Sequence, residues 1–445
     1  MERRTFLKIL SSAGIVSLVS PTFAMEVCKN KVSKSSSALL ESAFRNPPFS
    51  SGVYTWWHWM NGNITKDGIT RDLEAMKANG IAGYQLFEAG SGIPIGPVES
   101  LSDEWVDLIL HTLKESERLG LEFAMHNCPG WSSSGGPWIT PDKAMQIITW
   151  SETKITGGKQ VRIQLPTPKH MFDYYIDTYC LAIPANMKVI PRLSILELSN
   201  RLDKDGVLTW DVPTGEWLIM RFGQTAKDQK NKSAPSKSTG LDCDKFSTEA
   251  LDYHLNCMFK RLMPAMEKIA KHSKIGLLID SYETGDQDWT SDMPAYFEQS
   301  HGYELYPFLP VLANKIVESE ESTKRFLFDF RRVRADMFAE RYYGHFQKRC
   351  KEKGIITYTE PYGGNMMEEL QVAQQLDINM GEFWCGQTVL WANYKYNRTV
   401  KQVASIAHTL GGKVVGAEAF TSEPDADKWL QYPYALKSLG DYMFT

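Results

Sequence analysis

Ile275-Gly276-Leu277-Leu278-Ile279-Asp280-Ser281-Tyr282-Glu283 sets a short apolar run directly against two acids. The same arrangement recurs on either side of it. Upstream lie Val53-Tyr54-Thr55-Trp56-Trp57-His58-Trp59, Ala82-Gly83-Tyr84-Gln85-Leu86-Phe87-Glu88 and Leu121-Glu122-Phe123-Ala124-Met125-His126-Asn127. Downstream lie Ile355-Ile356-Thr357-Tyr358-Thr359-Glu360, Ile378-Asn379-Met380-Gly381-Glu382-Phe383-Trp384 and Lys413-Val414-Val415-Gly416-Ala417-Glu418. Helical stretches separate the runs, at about 69–79, 103–119, 248–272, 291–300, 321–353, 366–374 and 400–410. Gly80 and Gly120 supply C-terminal stops for the first two. Repeated strand–helix units imply an α/β fold with a parallel sheet, and eight of them close a (β/α)8 TIM-like barrel. Seven strands are visible, and the chain stops at Thr445, where an eighth should begin. A C-terminally truncated barrel is therefore expected.

The alternation breaks between 145 and 222, where Thr, Val, Ile, Gly and Pro fall in short alternating stretches. Val161–Leu165 and Trp217–Phe222 are strand-like. This segment is expected to be an all-β module inserted between barrel parts at 51–144 and 223–445. Residues 223–243 are polar and read as a loop, and the Ser- and Lys-rich stretch 25–50 reads as a linker. Residues 1–24 resemble a twin-arginine export signal, with Arg3-Arg4, Phe6-Leu7-Lys8, an apolar run and Thr22-Phe23-Ala24 as cleavage site. Export to the periplasm is expected. Val27 ahead of Cys28 disfavours lipid anchoring. No later segment holds about 20 continuous apolar residues, so no membrane span is expected in the mature chain.

Of 445 residues, 43% are hydrophobic and 23% charged, which excludes wholesale disorder. The net charge is −4 with no basic block, which argues against nucleic acid as a partner. The seven cysteines are irregularly spaced without a CxxC, which argues against a zinc cage or redox dithiol. Aromatics reach 12%, a level that accompanies clefts stacking sugar rings, although any single one is more readily a core residue.

Functional groups of such barrels gather at strand C-termini. Reading those ends yields His58, Glu88, His126 with Asn127, Asp280 with Glu283, Glu360, Glu382 and Glu418. One strand-end acid is ordinarily a solvated loop residue; seven polar ends in succession point to a shared site. Trp57, Trp59, Tyr282, Trp289, Tyr362 and Trp384 flank them. Glycoside hydrolysis needs one carboxylic acid to protonate the leaving oxygen and a second carboxylate to activate water or attack the sugar. Burial and mutual repulsion keep the acid protonated near neutral pH. GxSxG, HExxH, P-loop and GxGxxG motifs are absent from the sequence, and no HxH pair sits on the first strand. These absences argue against an organic cofactor and a catalytic transition metal.

Gly52-Val53-Tyr54-Thr55-Trp56-Trp57-His58-Trp59-Met60-Asn61-Gly62 resembles the opening barrel strand of glycoside hydrolase family 106, the α-L-rhamnosidases. So does His126-Asn127-Cys128-Pro129-Gly130-Trp131-Ser132-Ser133-Ser134-Gly135-Gly136-Pro137-Trp138, the longest and most specific match. Asp280–Glu283, Tyr358–Gly364 and Gly416–Thr421 match further, and together they cover roughly 50–445. The resemblance implies a (β/α)8 barrel with inserted and appended β-domains, an inverting mechanism on rhamnose-containing glycans, and calcium dependence. By motif, Glu283 would be the general acid and Glu418 the general base, with Glu382 or Glu360 as rival base. The two carboxyls of an inverting enzyme stand about 6.5–9.5 Å apart. Strand-end position and resemblance make Trp57, His58, Glu88, His126, Asn127, Asp280, Tyr282 and Trp384 candidate sugar contacts. No metal ligands are assigned. Members of the family are much longer, so a non-catalytic carbohydrate-binding remnant stays open, as does a barrel lyase acting on sugars.

Overall fold

The computed structural model describes residues 34–131, 134–385, 389–412, 414–422, 428 and 430–445. The export signal expected over 1–24 lies outside the described residues. Within the expected linker, Lys34–Arg45 is instead a helix.

All seven expected strands form: β1 (Tyr54–Met60), β2 (Gly83–Ala89), β3 (Glu122–His126), β4 (Ile275–Ile279), β5 (Ile356–Thr359), β6 (Ile378–Cys385) and β7 (Gly416–Ser422). They build one parallel sheet in chain order, with β1 and β7 at its two ends among the described residues. The sheet is curled. Gln85 Nε2 on β2 reaches Met380 Sδ on β6 at 3.2 Å, across three intervening strands.

Side chains alternate along each strand. One face carries Trp57, Trp59, Tyr84, Leu86, Phe123, Met125, Ile275, Leu277 and Ile279 into the main core. There they meet Leu73 of helix Lys66–Ala78 and Ile109 and Leu113 of helix Asp103–Leu119. The concave face packs Ala124, Leu278, Tyr358 and Met380 with Trp56. Both faces are apolar, which is why the runs lack hydrophobic–polar alternation. The expected stops hold: Gly80 and Gly120 take φ of 78° and 65°, the left-handed conformation that closes a helix.

Two long expected helices are broken. Thr248–Phe259 and Met263–Ala270 replace 248–272, with Pro264 in the first turn of the second. Glu320–Met337 passes through a π-helical segment, Phe338–Gly344, into His345–Lys351. That segment buries Tyr342 and Tyr343.

Between 146 and 226, Gln146–Thr156, Glu216–Ala226, Ile176–Pro184 and Leu196–Glu197 form a four-stranded antiparallel sheet. Lys159–Gln164 and Val207–Val212 pair as a ribbon. Cys180, Leu208, Trp210 and Ile219 form a separate small core there. Six described cysteines are unpaired thiols, five of them buried. Among the described residues no helix is long and apolar enough to cross a membrane.

Candidate active site

The alternation that sorts the core also sorts the expected site residues. His58, His126, Asp280, Glu360, Glu382 and Glu418 fall in step with the concave face. Glu382 and Glu418 are register partners on β6 and β7. Trp57 and Glu88 fall on the other face. The Trp57 indole donates to Asp72 Oδ2 at 3.0 Å, and Glu88 Oε2 accepts from Ser100 Oγ at 2.9 Å. Burial pushes the Glu88 carboxyl up to about 7, against the opposing pull of its Ser100 hydrogen bond. Neither residue joins the concave cluster. Their neighbours Trp56 and Phe87 do. Phe87 lies edge-on to His58 and His126, and stacks on Trp131 at 5.4 Å between ring centroids.

Asp280, Glu360 and Glu418 bring one carboxylate oxygen each within 4.8 Å of one another. Glu360 is fully buried; its Oε2 accepts from Tyr362 OH at 2.5 Å, and no donor meets its Oε1. Burial, then repulsion from Asp280 and Glu418, holds its carboxyl well above the usual range. Burial followed by repulsion from Asp280 and Glu382 pushes Glu418 up to about 8, with Thr421 opposing through a hydrogen bond. Glu382 is raised as well, first by burial, while hydrogen bonds from Trp384 and Tyr362 pull it down. His58 is lowered by burial and by the neighbouring His126. These three carboxylates, Glu360 among them with an oxygen that no hydrogen bond satisfies, offer part of the about six to eight oxygen ligands that a hard cation such as calcium takes.

Glu283 differs from these. It is exposed, and its Oε2 accepts from Trp131 Nε1 at 3.1 Å and from Lys232 Nζ at 3.3 Å. A cleft of about 950 Å³ opens beside it, lined among others by Tyr282, Glu283, Glu382, Trp384 and Lys232. Tyr282 is buried beneath the cleft, its OH donating to Gly285 O at 2.7 Å.

Asn127 serves the framework. Its Nδ2 donates to Leu278 O at 2.9 Å, its Oδ1 accepts from Ser134 Oγ, and its carbonyl faces His254 Nε2 at 2.9 Å. Ser134 in turn meets Tyr342 OH of the π-helical segment at 2.8 Å. The fully buried Lys245 donates to Ser134 O at 3.0 Å and pairs with Asp242 at 3.1 Å. Asn127 and Ser134 are thereby tied to the framework.

Sequence reasoning missed Trp56, Phe87, Trp131 and Lys232. Trp131 stands inside a quoted motif; Lys232 lies in a stretch that reads only as a polar loop.

A Formosa agariphila protein provisionally named a β-glucuronidase is 41% identical over 433 residues, covering 90% of this chain and 36% of its own length. The rhamnosidase structure from Novosphingobium sp. PP1Y superposes with a TM-score of 0.83 at 24% identity, covering 91% of this chain and 55% of its own. The chain thus spans about a third of one relative and about half of the other. The structural likeness establishes the shared fold. The family model described as alpha-L-rhamnosidase matches residues 45–179 and 169–445. With nearly the whole chain matched, this protein belongs to glycoside hydrolase family 106.

Proposed function

We propose that the chain is the catalytic core of an exported, periplasmic glycoside hydrolase that removes α-L-rhamnosyl residues from glycans with inversion. The observation that carries this reading is the gathering of Asp280, Glu360 and Glu418, with Glu382 beside them, next to a cleft that exposes Glu283. In this reading the curled sheet is the larger part of a (β/α)8 barrel made of 51–144 and 223–445. The antiparallel strands of 145–222 are a module inserted in it, and 1–24 is the export signal.

Glu283 is placed to reach a glycosidic oxygen entering the cleft. Its proton passes to that oxygen as the C1–O bond breaks. A carboxylate on the opposite side takes a proton from water as the water oxygen bonds to C1, which inverts the anomeric centre. Glu418 is the base by motif. Glu382 is its rival, and its place in the cleft lining favours it. Glu360, fully buried, is the weaker candidate. Trp384, half-buried in the cleft wall, and Trp131, against Glu283, offer aromatic faces to the sugar. A calcium ion held by Asp280, Glu360 and Glu418 would supply positive charge that keeps these acids ionised.

The test compares release from 4-nitrophenyl α-L-rhamnoside and 4-nitrophenyl β-D-glucuronide by the chain and by Glu283→Gln. Rhamnoside turnover that falls by about 10²–10⁴ in Glu283→Gln is expected. Turnover of the glucuronide alone would replace the substrate class with the one in the Formosa relative's name. Saturable glycan binding without released sugar would make the chain a binding module. An unsaturated product would make it a lyase.

A further inference from the structure

We infer that Lys232 is a positioning residue for Glu283, fixing one carboxylate oxygen so that the other alone presents a proton to the leaving group. The inference rests on the reading of Glu283 as general acid. Oε2 of Glu283 accepts two N–H groups, from Trp131 at 3.1 Å and Lys232 at 3.3 Å. An oxygen committed to two donors is a poor site for a proton. Oε1 is then the oxygen that carries it.

An exposed lysine pair is ordinarily weak because a flexible side chain must be ordered to make it. Here the backbone that carries the lysine is held on both sides. Asn231 is buried; its Nδ2 donates to Pro129 O at 3.0 Å and Ser238 O at 3.2 Å, while its Oδ1 accepts from Gly240 N at 2.8 Å. Trp131 N donates to Lys232 O at 3.3 Å, and Gly90 N donates to Ser233 O at 2.6 Å. Ser233 holds a φ of 59°, in the left-handed region that favours glycine, between these contacts. Gly130 permits the approach: a Cβ there would stand 2.0 Å from Lys232 O. The two donors to Glu283 therefore come from two segments zipped to one another, so their spacing is set before substrate arrives.

The charged groups around Glu283 fit this role. Glu382 on β6 and Glu418 on β7 lie near enough for the charge of Glu283 to oppose their own ionisation. On the cleft rim, Arg398 is paired with Glu369 at 2.9 Å, and Arg331 and Glu368 stand with them. Among the described residues Lys232 is the cation paired directly with Glu283.

The test uses Lys232→Met and Lys232→Arg in the full chain, with two aryl α-L-rhamnosides. The 2,4-dinitrophenyl leaving group departs without a proton; 4-methoxyphenyl needs one. For Lys232→Met, kcat/KM is expected to fall about 10-fold or more on the methoxyphenyl substrate and less than about 3-fold on the dinitrophenyl one. The basic limb of the pH profile should move upward, and Lys232→Arg should restore most of both. Equal loss on the two substrates, or no loss on either, overturns the inference. Carbon-13 titration of the Glu283 carboxyl, located by difference against Glu283→Gln, is read separately. It should move to higher pH in Lys232→Met, and an unmoved titration also overturns the inference. If no rhamnoside is hydrolysed, the functional reading falls, while this titration still decides the pairing.

Discussion

His126 Nε2 lies 2.8 Å from Asp280 Oδ2, and both side chains are buried. His126 Nδ1 faces the carbonyl oxygen of Leu86 at 3.1 Å. A carbonyl only accepts, so Nδ1 carries a proton. Asp280 Oδ1 accepts from Ser281 N at 2.6 Å, so backbone and histidine together set the angle at which Asp280 enters the cluster with Glu360 and Glu418.

Replacing His126 by alanine leaves the buried Asp280 Oδ2 without its histidine partner. We expect His126→Ala to lose about 3–5 kcal/mol of stability. His126→Gln can keep a hydrogen bond and should lose less. Urea unfolding measures both, and an unchanged midpoint in His126→Ala would remove the pair from the stability argument.

The raised carboxyls predict a pH dependence. Glu88 rises from an ordinary 4.5 to about 7, and Glu418 from 4.5 to about 8. Between 4.5 and these values the folded chain holds protons that the unfolded chain has released, so stability falls as pH rises. Without divalent cation, Tm should decline from pH 5 toward pH 8. Calcium, by replacing protons in the cluster of Asp280, Glu360 and Glu418, should flatten the decline, and Glu360→Gln should abolish that rescue. Calorimetry with calcium and with chelator tests it. A Tm that rises with pH in chelator would contradict the sign.

Inversion has a direct stereochemical readout. Proton NMR during early turnover of an α-L-rhamnoside should show the β-anomer of rhamnose first, before mutarotation. The α-anomer appearing first would indicate a retaining reaction through a covalent intermediate.

Lys245 and Asp242 form an ion pair with no solvent exposure. Lys245→Met should cost about 3–5 kcal/mol, because Asp242 is left charged and buried. The double replacement with Asp242→Asn should cost less than the single one. Chemical denaturation of the two variants decides this, and equal losses would show that Lys245 acts through Ser134 O rather than through Asp242.

How legible the site was depended on the distance over which each feature is decided. His126, Asp280, Glu360, Glu382 and Glu418 were readable as strand ends, and the structure places them in step on the concave face. Trp57 and Glu88 were read from the same ends and fall on the helix-facing side. A one-residue step exchanges the faces of a strand. In a sheet buried on both sides no polar alternation marks which step is right. Trp56 and Phe87, their immediate neighbours, take the concave positions for that reason. Lys232 left no trace, since a lysine in a polar loop carries no periodic signal.

Seven strands, the helical character of the stretches between them though not the breaks in two of these, the glycine stops and the acids at the strand ends were determined by the amino-acid sequence alone. All of these rest on composition and period within a few residues, where local physics decides. Only the tertiary structure decided which face each side chain takes, that Asp280, Glu360 and Glu418 share one space, and that a loop lysine meets Glu283. Those outcomes depend on the curl of the sheet and on segments far apart in the chain closing against one another, which no local pattern encodes.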